Sequence, residues 1–544
     1  MSVANPAQSR IPEPSNPTAG APVSDIDLNP QRWLILVGLI LASIMEVLDT
    51  TIVNVALPQM AGNMGATNQE IAWVSTSYIL SNVVILPMTA FLAGRFGRRQ
   101  YLSFSIALFI VASFFCGTSR TLGEIVFWRI LQGAGGAALL STAQATIRQI
   151  FPLTQQGTVQ ALFILGIIVA PTLGPTLGGW ITDNYSWSWN FFINIPIGIF
   201  SLFLVGAFLN DSQKPNRNAK VDWPGIGLLT VGLGCLQYVL EEGNKDDWFQ
   251  SDVILILTII SAVCLVAMLI WETWPTNEHP VINFGILKNK SLAAALGLFV
   301  SLGVGLYGGI YLFPLFVQTI LHFTPTQTGL VLLPGGIATA VGVIICGRTL
   351  NGPKPLLDPR YLIFFGMAMF TISMWYLGHM TTQSGEPDTR FALILRGIGL
   401  GFLFTPINLV AFAGLKPNEI QQASGLINLT RQLGGSFGIA ILGTYVQNQI
   451  VYHRTMLGSH IYAGNPALIE RQQGIQSMLL QHGYTSAQAS AGWLGVLNQQ
   501  VYRQAATMAY NDGFLLILIL FLLATPFVFL LRRPSGPPGG GDTH

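Results

Sequence analysis

Fourteen apolar runs, each near the ~20 residues that cross a bilayer as a helix, punctuate this chain of 544 residues. They lie near 34–57, 71–93, 101–118, 124–147, 157–181, 191–209, 224–240, 252–272, 292–320, 328–347, 361–380, 391–414, 424–447 and 513–531. The 101–118 run is short, and 292–320 is long enough to tilt or to kink at Pro314. The pattern predicts an all-α polytopic membrane protein of about 14 transmembrane helices. Outside the runs the first thirty residues are polar and rich in Pro, Ser and Asn, which predicts a disordered tail over 1–32 and not a cleaved leader. The end, 532–544, reads the same way. The segment 448–512 is long, rich in Gln and Ala, and without an unbroken apolar span; 468–480 and 487–508 within it read as amphipathic helices.

Composition sharpens this picture. Hydrophobic residues make up 51% and charged residues only 9%, against roughly 25% charged in a soluble domain. So little charge leaves lipid to cover much of the surface. A net charge of +2 does not suggest nucleic acid as a partner. Cys116, Cys235, Cys264 and Cys346 all lie inside apolar runs, with neither metal-ligand nor disulfide-framework spacing. No metal site is expected.

An even number of spans puts both termini on one side, and the cations choose the side. With the termini in the cytoplasm, the inner segments hold 17 of the 26 Lys and Arg residues, among them Arg95, Arg98, Arg99, Lys214, Arg217, Lys220, Arg348, Lys354 and Arg360. The outer side holds six, and Arg129, Arg396 and Arg431 lie within spans.

The chain also repeats. Gly94-Arg95, Tyr101-Leu102, Gly133 with Gly135, and Pro152 recur as Gly347-Arg348, Tyr361-Leu362, Gly397 with Gly399, and Pro417, at offsets of 253, 260, 264 and 265 residues. Two parallel six-helix halves with two inserted helices give this pattern: 33–210, an inserted linker over 211–290, and 291–531 including the outer loop 448–512. Such repeats mark transporters, with the substrate site where the halves meet.

Glu46 and Asp49 stand three residues apart in the first span and so share a helix face. A carboxylate inside a bilayer is costly and faces a cavity or a partner, which makes both candidates to bind and release a proton. Each also has a plainer reading, a bond to a neighbouring helix. Arg129 in the fourth span is the natural counter-charge. Arg396 and Arg431 suit packing or substrate coordination equally. Asn54, Gln132, Tyr307 and Tyr311 complete the candidates for a substrate cavity. In the fifth span Gly166, Ala170, Gly174 and Gly178 form a small-residue stripe beside Pro171 and Pro175, with Gly179 following. Close packing is the reading this stripe carries, with the added expectation that the interface rocks during alternating access.

These residues carry a resemblance. Leu48-Asp49-Thr50-Thr51-Ile52-Val53-Asn54-Val55-Ala56-Leu57-Pro58 is similar to the first-span signature of fourteen-span drug:proton antiporters in the major facilitator superfamily. Arg129-Ile130-Leu131-Gln132-Gly133-Ala134-Gly135 resembles their fourth-span motif, whose arginine is implicated in proton transfer. Ala170-Pro171-Thr172-Leu173-Gly174-Pro175-Thr176-Leu177-Gly178-Gly179 resembles the fifth-span motif associated with export. Phe192-Ile193-Asn194-Ile195-Pro196-Ile197-Gly198 and Asn428-Leu429-Thr430-Arg431-Gln432-Leu433-Gly434-Gly435 also match. The resemblance spans about 33–531 and is nearest to EmrB-type inner-membrane subunits of tripartite multidrug pumps. It implies the major facilitator fold, a bacterial inner-membrane location, a proton gradient as the energy source with no cofactor, and no enzymatic reaction. It also implies a periplasmic adaptor and an outer-membrane channel as partners. The apolar positions Leu468, Ile475, Met478, Leu479 and Trp493 of the outer loop offer a face for that adaptor. Two positions depart from the pattern. Gly94 replaces an acid in the loop motif that continues through Arg95, Gly97, Arg98 and Arg99, which puts a charge latch between the halves in question. Glu46 is an added acid.

Amphipathic or cationic compounds are therefore the expected cargo, with a single endogenous metabolite, lipid or siderophore as the alternative. A receptor or channel fits the repeat less well. No G-x-x-x-x-G-K-[ST] pattern is present, which disfavours ATP coupling. One charge moving down ~100 mV supplies ~2.3 kcal/mol, roughly a fiftyfold gradient.

Overall fold

A computed structural model describes residues 31–210, 221–274, 277, 280–350, 356–417, 419–462 and 465–531. Residues 1–30 of the tail expected over 1–32, the tail expected at 532–544, and the cations Lys214, Arg217, Lys220 and Lys354 lie outside the described residues; Arg32 already belongs to the first helix. In chain order the helices are α1 (Arg32–Met64), α2 (Asn68–Ile71), α3 (Trp73–Ile85), α4 (Thr89–Phe96), α5 (Arg98–Thr118), α6 (Leu122–Ile150), α7 (Gln156–Asn184), α8 (Trp189–Phe192) and α9 (Asn194–Phe208). They continue with α10 (Trp223–Glu242), α11 (Asp252–Thr273), α12 (Lys290–Thr319), α13 (Pro325–Thr349), α14 (Pro359–Leu377), α15 (Glu386–Ala411), α16 (Ile420–Ser459), α17 (Pro466–Gln481) and α18 (Ser486–Leu530). No strand occurs among the described residues.

Each of the fourteen apolar runs falls on one long helix or on an abutting set. The second run is α3, a 3-10 turn at Leu86–Met88, and α4. Among the described residues, eleven helical segments are long and apolar enough to cross a membrane. The helices α6 and α16 are not among them, and both carry many of the polar side chains that meet inside the protein. Pro314, Pro171 and Pro175 lie within helices that continue through them.

The packing repeats as the offsets imply. In the first half α1 packs on α7 and α9, and α6 on α3 and α5; in the second α12 packs on α16 and α18, and α15 on α13 and α14. Glycines permit the closest approaches. A methyl group at Gly178 would stand 2.7 Å from the Ile52 carbonyl oxygen, and one at Gly166 2.9 Å from Ile40. Gly434 meets Val300 and Gly438 meets Val304 in the same manner. The small-residue stripe of α7 thus lies against α1 within its own half. The contact of α7 with the second half lies on another of its faces, where Gly347 of α13 approaches Gly157 and Ala161, and Gly329 approaches Thr176. Gly97, at φ 89°, makes the turn between α4 and α5.

In the segment 448–512 the helices expected at 468–480 and 487–508 are present as α17 and the first part of α18, and the departure from expectation is that the flanking spans continue into the segment as α16 and α18. With 40 residues in α16 and 45 in α18, these helices are about 60 and 67 Å long, twice the ~30 Å hydrocarbon thickness. The helix α17 folds back on α18, held by Arg471 donating to Gln500 at 3.2 and 3.0 Å. Arg454 joins α16 to Asn498 of α18 at 3.0 Å, and His453 joins Asp512 at 2.7 Å. Of the five positions expected to dock a partner, Ile475 is buried, Leu468, Leu479 and Trp493 are half-buried, and Met478 is exposed. Most of that face is spent on covering α18.

Candidate functional site

Apolar surroundings leave a charged side chain few places to go, and Asp49 and Arg129 find each other. Arg129 Nη1 lies 2.5 Å from Asp49 Oδ2. The other carboxylate oxygen accepts from Gln132 Nε2 at 3.0 Å and Asn194 Nδ2 at 2.9 Å. Arg129 also donates through Nε to the Val74 carbonyl at 2.7 Å and through Nη1 to Gln132 Oε1 at 2.8 Å. Its guanidinium carbon sits 4.2 Å from the centre of the Tyr78 ring. Gln132 in turn donates to Ser113 Oγ at 2.7 Å. Five helices, α1, α3, α5, α6 and α9, therefore converge on one fully buried ion pair.

Two features of this cluster differ from the sequence reading. Gln132, expected in a substrate cavity, lies in the shell around Asp49: one turn after Arg129, its amide points the same way, toward α1. Ser113, Asn194 and the Val74 carbonyl are partners that the sequence pattern does not single out. Asn194 stands in the motif at 192–198, and a lone amide in an otherwise apolar run is the available signal.

Glu46 takes a different place. It is buried, with Oε1 accepting from Asn82 Nδ2 at 3.4 Å and Oε2 from the Leu140 backbone N–H at 3.1 Å. It forms no ion pair among the described residues. Its partner Leu140 also lines a small void together with Arg431 of the other half. Sharing a face of α1 thus sends the two acids to different stations along α6, Asp49 to Arg129 and Glu46 toward the seam between the halves.

That seam is closed at the end of the bundle where α1 begins, an end fixed by Trp33 of α1 lying 5.2 Å from Phe151 after α6. The closure is a ladder of uncharged groups. Gln144 of α6 donates to Asn408 of α15 and accepts from Asn428 at 3.0 Å and Ser424 at 3.2 Å, both on α16. Gln421 donates to Thr142 at 3.1 Å, Ser424 to the Ser141 carbonyl at 2.7 Å, and Gln149 to the Pro417 carbonyl at 3.0 Å. Arg98 donates to Gln149, so the motif whose acid is replaced by Gly94 still reaches the other half through a neutral relay. Arg99 donates to the Gly206 carbonyl within its own half. Arg95 is half-buried at the end of α4.

Beside the ladder lies a void of about 20 Å³ lined by Leu140, Phe163, Phe299, Phe404, Asn428 and Arg431, among others. It has room for about one water molecule. Arg431 donates to Asn428 at 3.1 Å, and its Nε finds no hydrogen-bond partner among the described residues. Arg396, also buried, lies over Gly309 of α12 and donates to the Leu306 carbonyl at 3.3 Å. Tyr307 packs on Gly435, and the Tyr311 hydroxyl approaches Gly443. Asn54 is exposed and accepts from Ser75 of α3 at 2.7 Å. The cavity candidates are therefore dispersed through both halves, and of the six only Arg431 lines the void. No cluster able to hold a metal occurs among the described residues.

The sequence pattern of the family described as Major Facilitator Superfamily matches residues 39–439. Multidrug export protein EmrB of Escherichia coli (strain K12) is 32% identical over 517 residues, 94% of this chain and 97% of its own. The fatty acid resistance protein FarB of Neisseria gonorrhoeae is 33% identical over 510 residues, again 94% and 97%. The crystal structure of the human organic anion transporter MFSD10 (TETRAN) superposes with a TM-score of 0.54 at 14% identity, over 90% of this chain and 99% of that one. At that identity the likeness concerns the fold.

Proposed function

Because the chain belongs to the major facilitator superfamily, we propose that it is a proton-coupled antiporter exporting amphipathic or cationic drugs and toxic compounds across a bacterial inner membrane. The buried Asp49–Arg129 pair carries this reading, and the relatives named for multidrug export support it. Deprotonated, Asp49 holds Arg129, Gln132 and Asn194 through charge-assisted bonds, which are about twice as strong as neutral ones. A proton on Asp49 removes the charge and loosens α1 from α6 and α9. Glu46, facing Arg431, lets the same protonation chemistry be felt at the seam. Substrate enters from the terminus side once the neutral ladder parts, and leaves on the other side when it closes. The excess of cations in the terminus-side segments supports a cytoplasmic placement of both termini.

The projecting α16, α17 and α18 are the natural platform for a periplasmic adaptor leading to an outer-membrane channel. Exposed Ile469, Met478, Leu480 and Leu494 replace most of the expected contact residues. A second reading, export of one acidic amphipath, is favoured by Arg431 standing among apolar side chains at the void and by the relative named for fatty acid resistance.

Proton-driven dye or drug uptake into inverted membrane vesicles tests the main reading. Asp49→Asn cannot exchange a proton at that position, and its vesicles should show no pH-driven uptake although the protein is present in the membrane. Normal uptake by this variant would remove Asp49 from the mechanism.

A further inference from the structure

The pseudo-symmetry of the halves is broken where the inserted helix α10 packs. Two lateral seams separate the halves. In one, α7 and α13 lie directly against each other along their length, from Gly329 near Thr176 to Gly347 near Gly157. The equivalent pair in the other seam is α16 with the segment α3–α4. These touch at the terminus-side end, where Gly425 approaches Thr89 and the Leu86 carbonyl. Farther along they diverge, and the inserted helix α10 lies against both.

The two faces of α10 are chemically unlike. Toward α16 the contacts are directed. Gln237, fully buried, donates to Ser436 Oγ at 2.9 Å. Just beyond the helix, Trp248 Nε1 donates to Thr444 Oγ1 at 2.8 Å, and Thr444 donates to Asn244 Oδ1 at 3.1 Å. Toward α3 they are undirected. Tyr238 lies beside Trp73, ring centres 5.7 Å apart. Gly234 faces Val84, and a methyl group there would stand 3.9 Å from the Val84 side chain, in ordinary contact.

We propose that α10 is the side wall of the transport path: it travels with the second half, bonded to α16, and slides over α3 of the first half in each cycle. Hydrogen bonds lose strength steeply with misalignment, whereas apolar contact has no preferred direction. A surface that must shift by ångströms therefore belongs on the side of Gly234 and Tyr238, and an anchor on the side of Gln237 and Trp248. Without such a wall, separation of α3 from α16 would open the polar seam to lipid, where unsatisfied groups cost several kcal/mol each. A role in transport thereby falls to an inserted segment that the two-half repeat does not require. The proposal rests on the antiporter reading above.

The test uses the full chain with Cys116, Cys235, Cys264 and Cys346 replaced. One variant carries Gly234→Cys with Val84→Cys, the other Gln237→Cys with Ser436→Cys. Each is treated in membrane vesicles with a short bifunctional methanethiosulfonate that reductant removes. Linking α10 to α3 should stop uptake, and reductant should restore it; linking α10 to α16 should leave uptake unchanged. The reverse pattern, arrest by both links, arrest by neither, or failure of either pair to link would overturn the proposal. The unlinked parent separates the two levels: if it transports nothing, the antiporter reading fails.

Discussion

Gln144 is the side chain on which the seam closure turns. It donates to Asn408 and accepts from Asn428 and Ser424, so one residue of α6 holds three partners on two helices of the other half. Gln144→Leu keeps a similar volume and removes the two amide bonds, while the single Ser424 proton keeps its shorter bond to the Ser141 carbonyl at 2.7 Å. Neutral hydrogen bonds contribute about 1 kcal/mol each, so the closed arrangement should lose about 2 kcal/mol relative to one in which water solvates the parted groups. At 1.4 kcal/mol per factor of ten, that is roughly thirtyfold in the ratio of closed to open molecules. Stranding the amides of Asn408 and Asn428 adds to the shift. Spin labels at Thr154→Cys and Lys416→Cys, both exposed near the closed end on opposite halves, report the separation directly. The variant should add or strongly enrich a longer-distance population. A distance distribution identical to that of the parent would refute the assignment of these bonds as the closure, whatever the effect on transport.

The charge pair should show its coupling in stability. Removing one partner of a buried pair costs about 3–5 kcal/mol, so Arg129→Gln should melt well below the parent in detergent, and adding Asp49→Asn should recover part of the loss because no unpaired charge remains. A double variant no more stable than Arg129→Gln would show that the two groups are not energetically linked. Glu46→Gln removes an acid facing the seam, and whole-cell efflux of cationic compounds should weaken more than that of neutral ones; equal losses would count against a role in substrate charge selection. Replacing 460–485, which includes α17, with a short Gly/Ser linker should leave vesicle uptake intact while drug resistance of intact cells falls. Full resistance with an adaptor still co-purifying would disprove docking through this arm.

How much of this is legible in the sequence depends on how far each residue stands out from its run. A carboxylate or guanidinium inside an apolar span is conspicuous, so Asp49 and Arg129 are identifiable from the amino-acid pattern, and so is their mutual attraction. Amides and hydroxyls blend in. Ser113 and Asn194 share the same carboxylate cluster yet look like ordinary helix residues in the sequence, and Gln132 reads as a cavity residue because a sequence gives no rotational phase between neighbouring helices. The glycine stripe of α7 is readable as a close contact, but its partner is not: α1 and α13 flank the same helix, and spacing alone does not choose between them. The outer segment departs from its reading as a loop for another reason. Low hydropathy over 448–512 signals departure from lipid, and helices α16 and α18 continue past that point because their backbone bonds are satisfied internally in water as well as in the bilayer.

The ladder at the seam is uncharged from Gln149 to Asn428. Parting it therefore transfers no elementary charge through the membrane field, whereas each charge that does cross is worth about 2.3 kcal/mol per 100 mV. On the antiporter reading proposed above, voltage then acts on the cycle through the proton, the cargo and any displacement of Arg98, Arg148, Arg431 and Glu46 beside the ladder. Imposed diffusion potentials should accordingly leave the label-to-label distances of substrate-free protein unaltered at fixed pH, even where they change the rate of net transport.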